Sequence, residues 1–210
     1  GYTSDIADGI TWASGGTVAG APANANPAEV INMSLGGAGA CSSTYQNAIN
    51  AAVGRGTTVV VAAGNDNADS SGFTPASCAN VIDVAATNKS GTRASYSNYG
   101  SLIDVAAPGG DSPDCTTLIV STGNAGTSGP TTENYLCMAG TSMATPHVAG
   151  TVALMQAVRG TKPALTPAQV ESILKSTLRA FPGSNDKPIG AGIIDANAAV
   201  NAAMTYRSAR

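Results

Sequence analysis

Residues 140–150 read GTSMATPHVAG and decide how the rest of the chain is interpreted. This stretch predicts a buried helix that begins near Thr141 and carries Ser142 on its first turn. The first backbone N–H groups of a helix have no partner within the helix, and the helix dipole is positive there. The N–H of Ser142 could therefore stabilise an oxyanion beside its own hydroxyl. A Thr-Ser pair alone is more often a simple helix cap, so the interpretation depends on the flanking sequence.

Strand-like runs precede this stretch. They are short, β-branched and almost continuously apolar, which is typical of a parallel sheet covered on both faces. The predicted strands are Val30–Ser34, Thr57–Ala62, Val81–Ala86 and Leu102–Ala106.

Helical segments lie between and after these runs. Residues 4–13 form one candidate, and a capping box at Ser43 and Gln46 predicts a helix that ends near Gly54 and Gly56. A second capping box at Thr166 and Gln169 has proline at the first helical position, and Asp195 is predicted to cap a last helix through Ala203. Alternating strands and helices predict an α/β fold with right-handed crossovers.

The composition excludes several classes of function. Charged residues make up 11% of the 210 residues, the net charge is −3 and the basic residues are scattered, which argues against nucleic acid and anionic membranes as partners. The longest apolar run, residues 148–158, is too short to span a bilayer. The chain begins at Gly1 without Met and shows no signal peptide, so we expect a processed N-terminus. We expect one domain over residues 1–203 and a flexible tail over 204–210.

Four cysteines are present, and they form no C-x-x-C pair, which argues against zinc. The even number fits two disulfides in an oxidising compartment, although four buried thiols remain an alternative. Residues 111–134 are rich in Gly, Ser, Thr and Pro and predict a surface loop or hairpin. Cys115 and Cys137 bracket it, so a bridge there would leave Cys41 to pair with Cys78; the other two pairings stay open.

With its neighbours, the 140–150 stretch closely resembles the nucleophile motif of the subtilisin-like serine peptidases. Further segments resemble that family in the same order, from about residue 5 to about residue 203. They are 30–37 (VINMSLGG), 60–65 (VVAAGN), 96–100 (YSNYG), 104–109 (DVAAPG) and 190–195 (GAGIID). The resemblance implies a three-layer α/β fold with a mostly parallel sheet, here lacking its N-terminal strands.

The resemblance also implies roles for individual residues. Ser142 is the nucleophile, and the Asn65 side chain joins the Ser142 N–H in binding the oxyanion. The predicted substrate-binding residues are Ser34, Leu35, Gly36, Ala63 and Gly64. The glycines bare the backbone for pairing with an extended peptide, and Phe73 is placed where it would limit the depth of the specificity pocket.

His147 is the only histidine of the chain. It follows Ser142 by five residues on the predicted helix, so its side chain points about 140° away and cannot take the serine proton. The resemblance implies a buried structural histidine at this position. The family's base and orienting aspartate lie in His-Gly-Thr and Asp-Ser/Thr-Gly motifs, and neither string occurs here.

The sequence therefore predicts part of a secreted serine endopeptidase whose base His and orienting Asp come from a missing N-terminal fragment. The alternative is an inactive fragment or pseudo-enzyme that binds extended peptides, and an acyl-transfer enzyme is a weaker third option. The chemistry requires no cofactor. The resemblance implies a structural calcium ion held by Asp104 and the carbonyls of Ala79 and Val81, since hard oxygen ligands suit Ca²⁺. The competing interpretation puts Asp104 in an ordinary surface turn.

Overall fold

The computed structural model describes residues 1–111 and 114–207. Its centre is a four-stranded parallel sheet in the order β1-β3-β5-β6. These strands are β1 (Val30–Met33), β3 (Thr58–Ala62), β5 (Ile82–Thr87) and β6 (Val105–Pro108). The first three match the predicted runs to within one residue at each end, whereas the last begins at Val105 rather than Leu102 and ends at Pro108 rather than Ala106.

Helices cover both faces of the sheet, which gives the expected three layers. Their bounds are α1 (Thr3–Ala13), α2 (Ser43–Gly54), α3 (Thr141–Ala157), α4 (Pro167–Ser176) and α5 (Ala196–Thr205). Val59 and Val61 of β3 pack against α1 and α2. Val60, on the opposite face of the same strand, packs into the larger core with α3, α4 and α5. Because both of its faces are buried, β3 is apolar from Val59 to Ala62 rather than alternating between apolar and polar residues.

Two antiparallel pairs lie beside the main sheet. The short strands β2 (Gly37–Ala38) and β4 (Phe73–Thr74) pair with each other, and β7 (Ile119–Asn124) and β8 (Glu133–Met138) form the hairpin predicted before α3. The disulfides join Cys41 to Cys78 and Cys115 to Cys137, the pairing that the bracketed hairpin favours.

The helix ends correct some local predictions. Ser42, not Ser43, caps α2 by accepting a hydrogen bond from the Tyr45 N–H, and Gln46 reaches the backbone of Ala79 instead of closing a capping box. The capping box of Thr166 and Gln169 is present, and Asp195 caps α5 as expected. Helix α5 continues to Thr205, past the predicted boundary at residue 203. Residues 208–210 of the predicted tail lie outside the described residues.

One side of this architecture is uncovered. Strand β1 pairs with β3 along one edge and, within residues 1–111 and 114–207, has no second neighbour. Helix α3 is rich in apolar and small residues all round, as expected of a helix buried on every side. Nevertheless Pro146 and His147 are exposed and Leu154 keeps 54% of its surface. In the described part of the chain, no helix has the length and hydropathy that crossing a membrane requires.

Candidate active site

Ser142 stands on the first turn of α3, at the edge where β3 ends. Gly140 precedes the helix with φ 155°, a conformation that favours glycine. The N–H groups of Met143 and Ala144 bond to the Gly140 carbonyl at 2.9 and 3.3 Å. The Ser142 N–H has no acceptor among the described residues. The predicted helix start is therefore correct, and it leaves a backbone donor free beside the serine.

Asn65 follows β3 and faces the same turn. Its Oδ1 accepts hydrogen bonds from the N–H and the hydroxyl of Thr141 at 2.8 and 2.9 Å. Thr141 is fully buried, and its hydroxyl also accepts from the Gly64 N–H at 3.2 Å. Because Oδ1 is held in this way, the orientation of the carboxamide is set. Its Nδ2 has no acceptor in the described ranges and remains a second free donor.

The two free donors border the same space. A Cβ placed on Gly140 would lie 3.6 Å from the Ser142 nitrogen and 3.7 Å from Nδ2 of Asn65. Donors that converge in this manner on one point can bind an oxygen atom that develops negative charge. The structure thus brings the two residues predicted to bind an oxyanion together, although 76 positions separate Thr141 from its partner Asn65 in the sequence.

A cleft of about 450 Å³ opens beside these donors. Leu35, Gly36, Ala63 and Gly64, four of the five predicted substrate-binding residues, line it together with Ser142, Asn65 and Phe73. Ser34 is not in the lining. It contacts the nucleophile instead: its hydroxyl donates to the Ser142 carbonyl at 2.8 Å. The Ser142 hydroxyl lies 3.4 Å from the Ser34 carbonyl.

His147 does not reach the serine. Its Nδ1 lies 2.8 Å from the carbonyl of Met143, one turn earlier on α3. The predicted direction of the side chain, away from Ser142, agrees with this bond. The predicted burial is wrong: His147 is exposed and lines a groove with Met143, Pro146 and Val120. It is exposed because nothing in the described chain covers this side of α3.

The residues around Asp104 do not fit the predicted calcium ion. Its Oδ1 forms an ion pair with the ammonium of Lys175 at 2.7 Å, and its Oδ2 accepts from the Asp83 N–H at 2.8 Å. The carbonyl of Ala79 accepts from Gln46 Nε2 at 3.0 Å. Lys175 therefore supplies the positive charge that calcium would bring, and a divalent ion at Asp104 would be repelled by it. This ion pair could not be predicted from the motifs, because Lys175 belongs to none of them.

The same region holds a buried carboxyl group that sequence reasoning missed. Asp83 is 1% exposed, and neither of its oxygens has a hydrogen-bond partner among the described residues. Burial holds its pKa well above the ordinary value; the Ser70 hydroxyl, which is near but makes no hydrogen bond of normal geometry, opposes this in part, and the charge of Asp104 adds to it. In the described ranges, no group of three or more His, Cys, Asp or Glu side chains comes together to hold a metal.

Two residues of the 96–100 segment also support the site. The Tyr96 hydroxyl lies 2.9 Å from the carbonyl of Gly109, and the Gly109 carbonyl accepts from the Gly140 N–H at 3.0 Å. Burial raises the pKa of Tyr96, so this hydroxyl stays protonated and able to donate. Asn98 is fully buried and bonds to the loop that carries Asn65. The motif itself was visible in the sequence, but these partners were not.

Comparison with known proteins finds relatives that match almost the whole of this chain. An extracellular protease of Xanthomonas campestris pv. campestris is 63% identical over 204 residues, 97% of this chain and 34% of that protein. An extracellular basic protease of Dichelobacter nodosus is 47% identical over 205 residues, 97% of this chain and 33% of that protein. A solved structure of proteases from Pseudoalteromonas arctica matches with a TM-score of 0.91 and 57% identity, covering 97% of this chain and 59% of that one.

The chain thus spans about a third of the length of these two curated relatives. The family model for Peptidase S8, the subtilase family, matches residues 1–192, which is most of the sequence. The chain belongs to the subtilase family.

Proposed function

We propose that this chain forms part of a secreted serine endopeptidase in which Ser142 is the nucleophile. One observation carries the proposal: the N–H of Ser142 and Nδ2 of Asn65, both unpaired within residues 1–111 and 114–207, border the same space beside the cleft. Two fixed donors at a serine hydroxyl are what stabilisation of a tetrahedral intermediate requires.

The proposed reaction is peptide-bond hydrolysis through an acyl-enzyme. The Ser142 oxygen attacks the scissile carbonyl carbon as a base removes the hydroxyl proton. The carbonyl oxygen, now negative, accepts hydrogen bonds from Ser142 N–H and Asn65 Nδ2. Collapse of this intermediate breaks the C–N bond, and the base returns the proton to the departing amine. Water then cleaves the ester in the same two stages and regenerates the serine.

The base must come from outside this sequence. His147 is the only histidine of the 210 residues, and its ring bonds to the Met143 carbonyl rather than facing Ser142. We propose that a segment beyond Gly1, docked on this chain, carries the base His and its orienting Asp. The open edge of β1 and the uncovered apolar side of α3 support this proposal, because an unpaired edge and exposed apolar side chains need a cover.

The substrate proposed for the cleft is an extended polypeptide. Leu35 is exposed at the cleft, and the neighbouring Gly36 has no side chain to shield its backbone. A peptide could therefore add to this segment as a strand, with one side chain entering the space bounded by Ala63, Gly64 and Phe73. We propose an extracellular location because both disulfides suit an oxidising compartment and the two relatives named above are called extracellular.

The test is intact mass under denaturing conditions, before and after treatment of the full protease with a fluorophosphonate. We expect a single covalent adduct that peptide mapping locates at Ser142, and additional polypeptide beyond the 210 residues. Ser128→Ala, an exposed serine of the hairpin, serves as the control and should label normally. If the protein is folded and the fluorophosphonate does not label it, the proposal of a peptidase is rejected.

A peptide-binding protein without catalysis is the second candidate. It is favoured by one observation: within this sequence, no histidine is placed to take the Ser142 proton. In that case the fluorophosphonate gives no adduct, while an extended peptide still binds and the Ser142→Ala variant binds it equally well. Labelling at Ser142 would exclude this candidate.

A further inference from the structure

We infer that Asn98 is a positioning residue for catalysis, which holds the Asn65 loop so that Nδ2 of Asn65 points at the oxyanion. This inference rests on the proposed function. Asn98 lies in the 96–100 segment, on a different part of the chain from both Asn65 and Ser142. It does not itself line the cleft, it makes no hydrogen bond to Ser142, and it is 0% exposed.

Both ends of the Asn98 carboxamide are used, and all their partners belong to the loop around Asn65. Its Nδ2 donates to the carbonyl of Ala63 at 2.8 Å. Its Oδ1 accepts from the N–H groups of Asp66 and Ala68 at 2.9 and 3.0 Å. The bonds therefore hold the chain immediately before and immediately after Asn65. Since amide donors face one end and a carbonyl faces the other, the orientation of the carboxamide is determined by its surroundings.

The backbone shows how closely the loop is packed on Asn98. The Asn98 N–H donates to the carbonyl of Gly64 at 3.0 Å. Gly64 has φ 106°, and a Cβ added there would collide with Nδ2 of Asn98. The buried carboxamide of Asn98 therefore packs directly against Gly64, in space that the Cβ of any other residue at position 64 would need.

The remaining constraint on Asn65 comes from Thr141, which holds its Oδ1. Asn65 is thus fixed through its side chain by Thr141 and through its backbone by Asn98. The Asn65 side chain is itself exposed at the cleft, so little packing would hold it if its loop moved. A shift of about 1 Å in a catalytic group can cost about 100-fold in rate. Loss of Asn98 should therefore act on kcat through Asn65.

No single side chain can replace Asn98. Aspartate cannot donate to the Ala63 carbonyl, and its charge would be buried beside that carbonyl. Leucine is of similar size but makes none of the bonds. Serine is too short to reach both sides of the loop, but it introduces no charge and little strain. Asn98→Ser is therefore the milder variant and Asn98→Ala the more complete one.

The experiment is a double-mutant cycle in the full protease with a chromogenic peptide, measuring kcat and KM separately. Asn65→Ala should lower kcat by about 10²–10³-fold, the figure for which subtilisin is itself the measured example. We expect Asn98→Ala and Asn98→Ser to lower kcat by about 10–100-fold with KM changed less than about 3-fold. In the Asn65→Ala background, either Asn98 substitution should lower kcat by less than about 3-fold further, because Asn98 acts through Asn65.

Thr57→Val is the matched control. Thr57 is also buried, and its hydroxyl donates to the Ala28 carbonyl at 2.7 Å at the far end of β3. It should lower the melting temperature while leaving kcat unchanged. If Asn98→Ala does not fold, Asn98→Ser is assayed together with hydrogen exchange, which should be faster at the Asp66 and Ala68 amides.

The outcomes separate this inference from the proposed function. The positioning role would be overturned if the Asn98 substitutions lowered kcat by the same factor with and without Asn65→Ala, or if folded Asn98→Ser had an unchanged kcat. Either result would leave the labelling of Ser142 and the effect of Asn65→Ala intact. An Asn65→Ala variant with full activity would reject the oxyanion role of Asn65 and this inference with it. If the protease without any substitution is not labelled by the fluorophosphonate, the proposal that it is a peptidase is itself rejected.

Discussion

The sequence predicted a functional site in two regions of the molecule, the Ser142 corner and the Asp104 corner, and the contacts in the structure differ between them. At the Ser142 corner, Ser142 and Asn65 line the same cleft, and each has a donor that is unpaired among the described residues. At the Asp104 corner, two of the three expected calcium ligands, Asp104 and the Ala79 carbonyl, are engaged by the side chains of Lys175 and Gln46. All principal residues of the first corner lie within the motifs. At the second corner the deciding residue lies on α4, outside any motif, so a set of metal ligands transfers less securely than a nucleophile motif.

The largest effect should come from Ser142→Ala in the full protease. We expect kcat to fall by about 10⁵-fold or more, in line with removal of the nucleophile in subtilisin. Substrate KM should change little, since the cleft lining is otherwise intact. Active-site titration and steady-state kinetics measure this. A variant that retained more than about 1% of the activity would show that the first corner is not the catalytic one.

Gly140→Ala should have a smaller effect at this corner than Ser142→Ala or Asn65→Ala. Gly140 has φ 155°, and the added Cβ would border the space shared by the Ser142 nitrogen and Asn65 Nδ2. We expect kcat to fall about 10–100-fold as the donors are displaced or blocked.

Gly9→Ala is the control for this change. Gly9 is exposed within α1, and nothing lies within 4 Å of a Cβ added there. It should raise the free energy of unfolding by about 0.5–1 kcal/mol and leave kcat unchanged. Normal kinetics in Gly140→Ala would show that the donors do not converge on the reacting oxygen.

Lys175→Met tests the Asp104 corner. Without the ammonium, the carboxylate of Asp104, whose side chain is only 15% exposed, loses its ion-pair partner. Lys175 is 40% exposed, so solvent screens the pair and we expect a loss of about 1–2 kcal/mol in the free energy of unfolding. Calcium should then raise the melting temperature of Lys175→Met more than that of the unchanged protein, as thermal unfolding with and without EDTA measures.

Asp104→Asn is the companion variant. In the Asp104→Asn background, adding Lys175→Met should leave the melting temperature unchanged, because the ion pair is already broken. A calcium-dependent rise in melting temperature that the unchanged protein shows and Asp104→Asn lacks would contradict the interpretation that Lys175 takes the place of the ion.

The smallest effect is expected at an ion pair whose carboxylate is exposed, which provides the contrast for the Asp104 pair: the Asp186 side chain is 63% exposed. Arg93 contacts Asp186 at 2.7 Å, and its hydrogen bond lowers the pKa of Asp186 from 3.8 to about 2. The charged form is therefore favoured in the folded state, so the stabilisation is present above the unfolded pKa and is lost as pH falls from about 4 towards 2. Asp186→Asn should barely change the melting temperature at pH 7 and should flatten its decline below pH 4. A loss at pH 7 as large as that of Lys175→Met would contradict this ranking.

The layers of the fold were largely predictable because each depends on a local signal. The strands of residues 30–34 and 57–62 are rich in apolar and β-branched residues, and the capping box at Thr166 marks the start of α4. The predictions were wrong where a side chain bonds to a residue far away in the sequence. Gln46 left the predicted capping box to bond with Ala79 across the disulfide-linked loop, and Asp104 met Lys175.

The sequence by itself determined the α/β class, the place of Ser142 at a helix start and the direction of His147 away from it, since helix periodicity and backbone geometry act over a few residues. Only the tertiary structure decided which groups are held together across the chain. It showed that Asn98 holds the Asn65 loop, that Lys175 neutralises Asp104, and that His147 and one side of α3 are uncovered. Such contacts join segments far apart in the chain, so periodicity and composition carry no record of them.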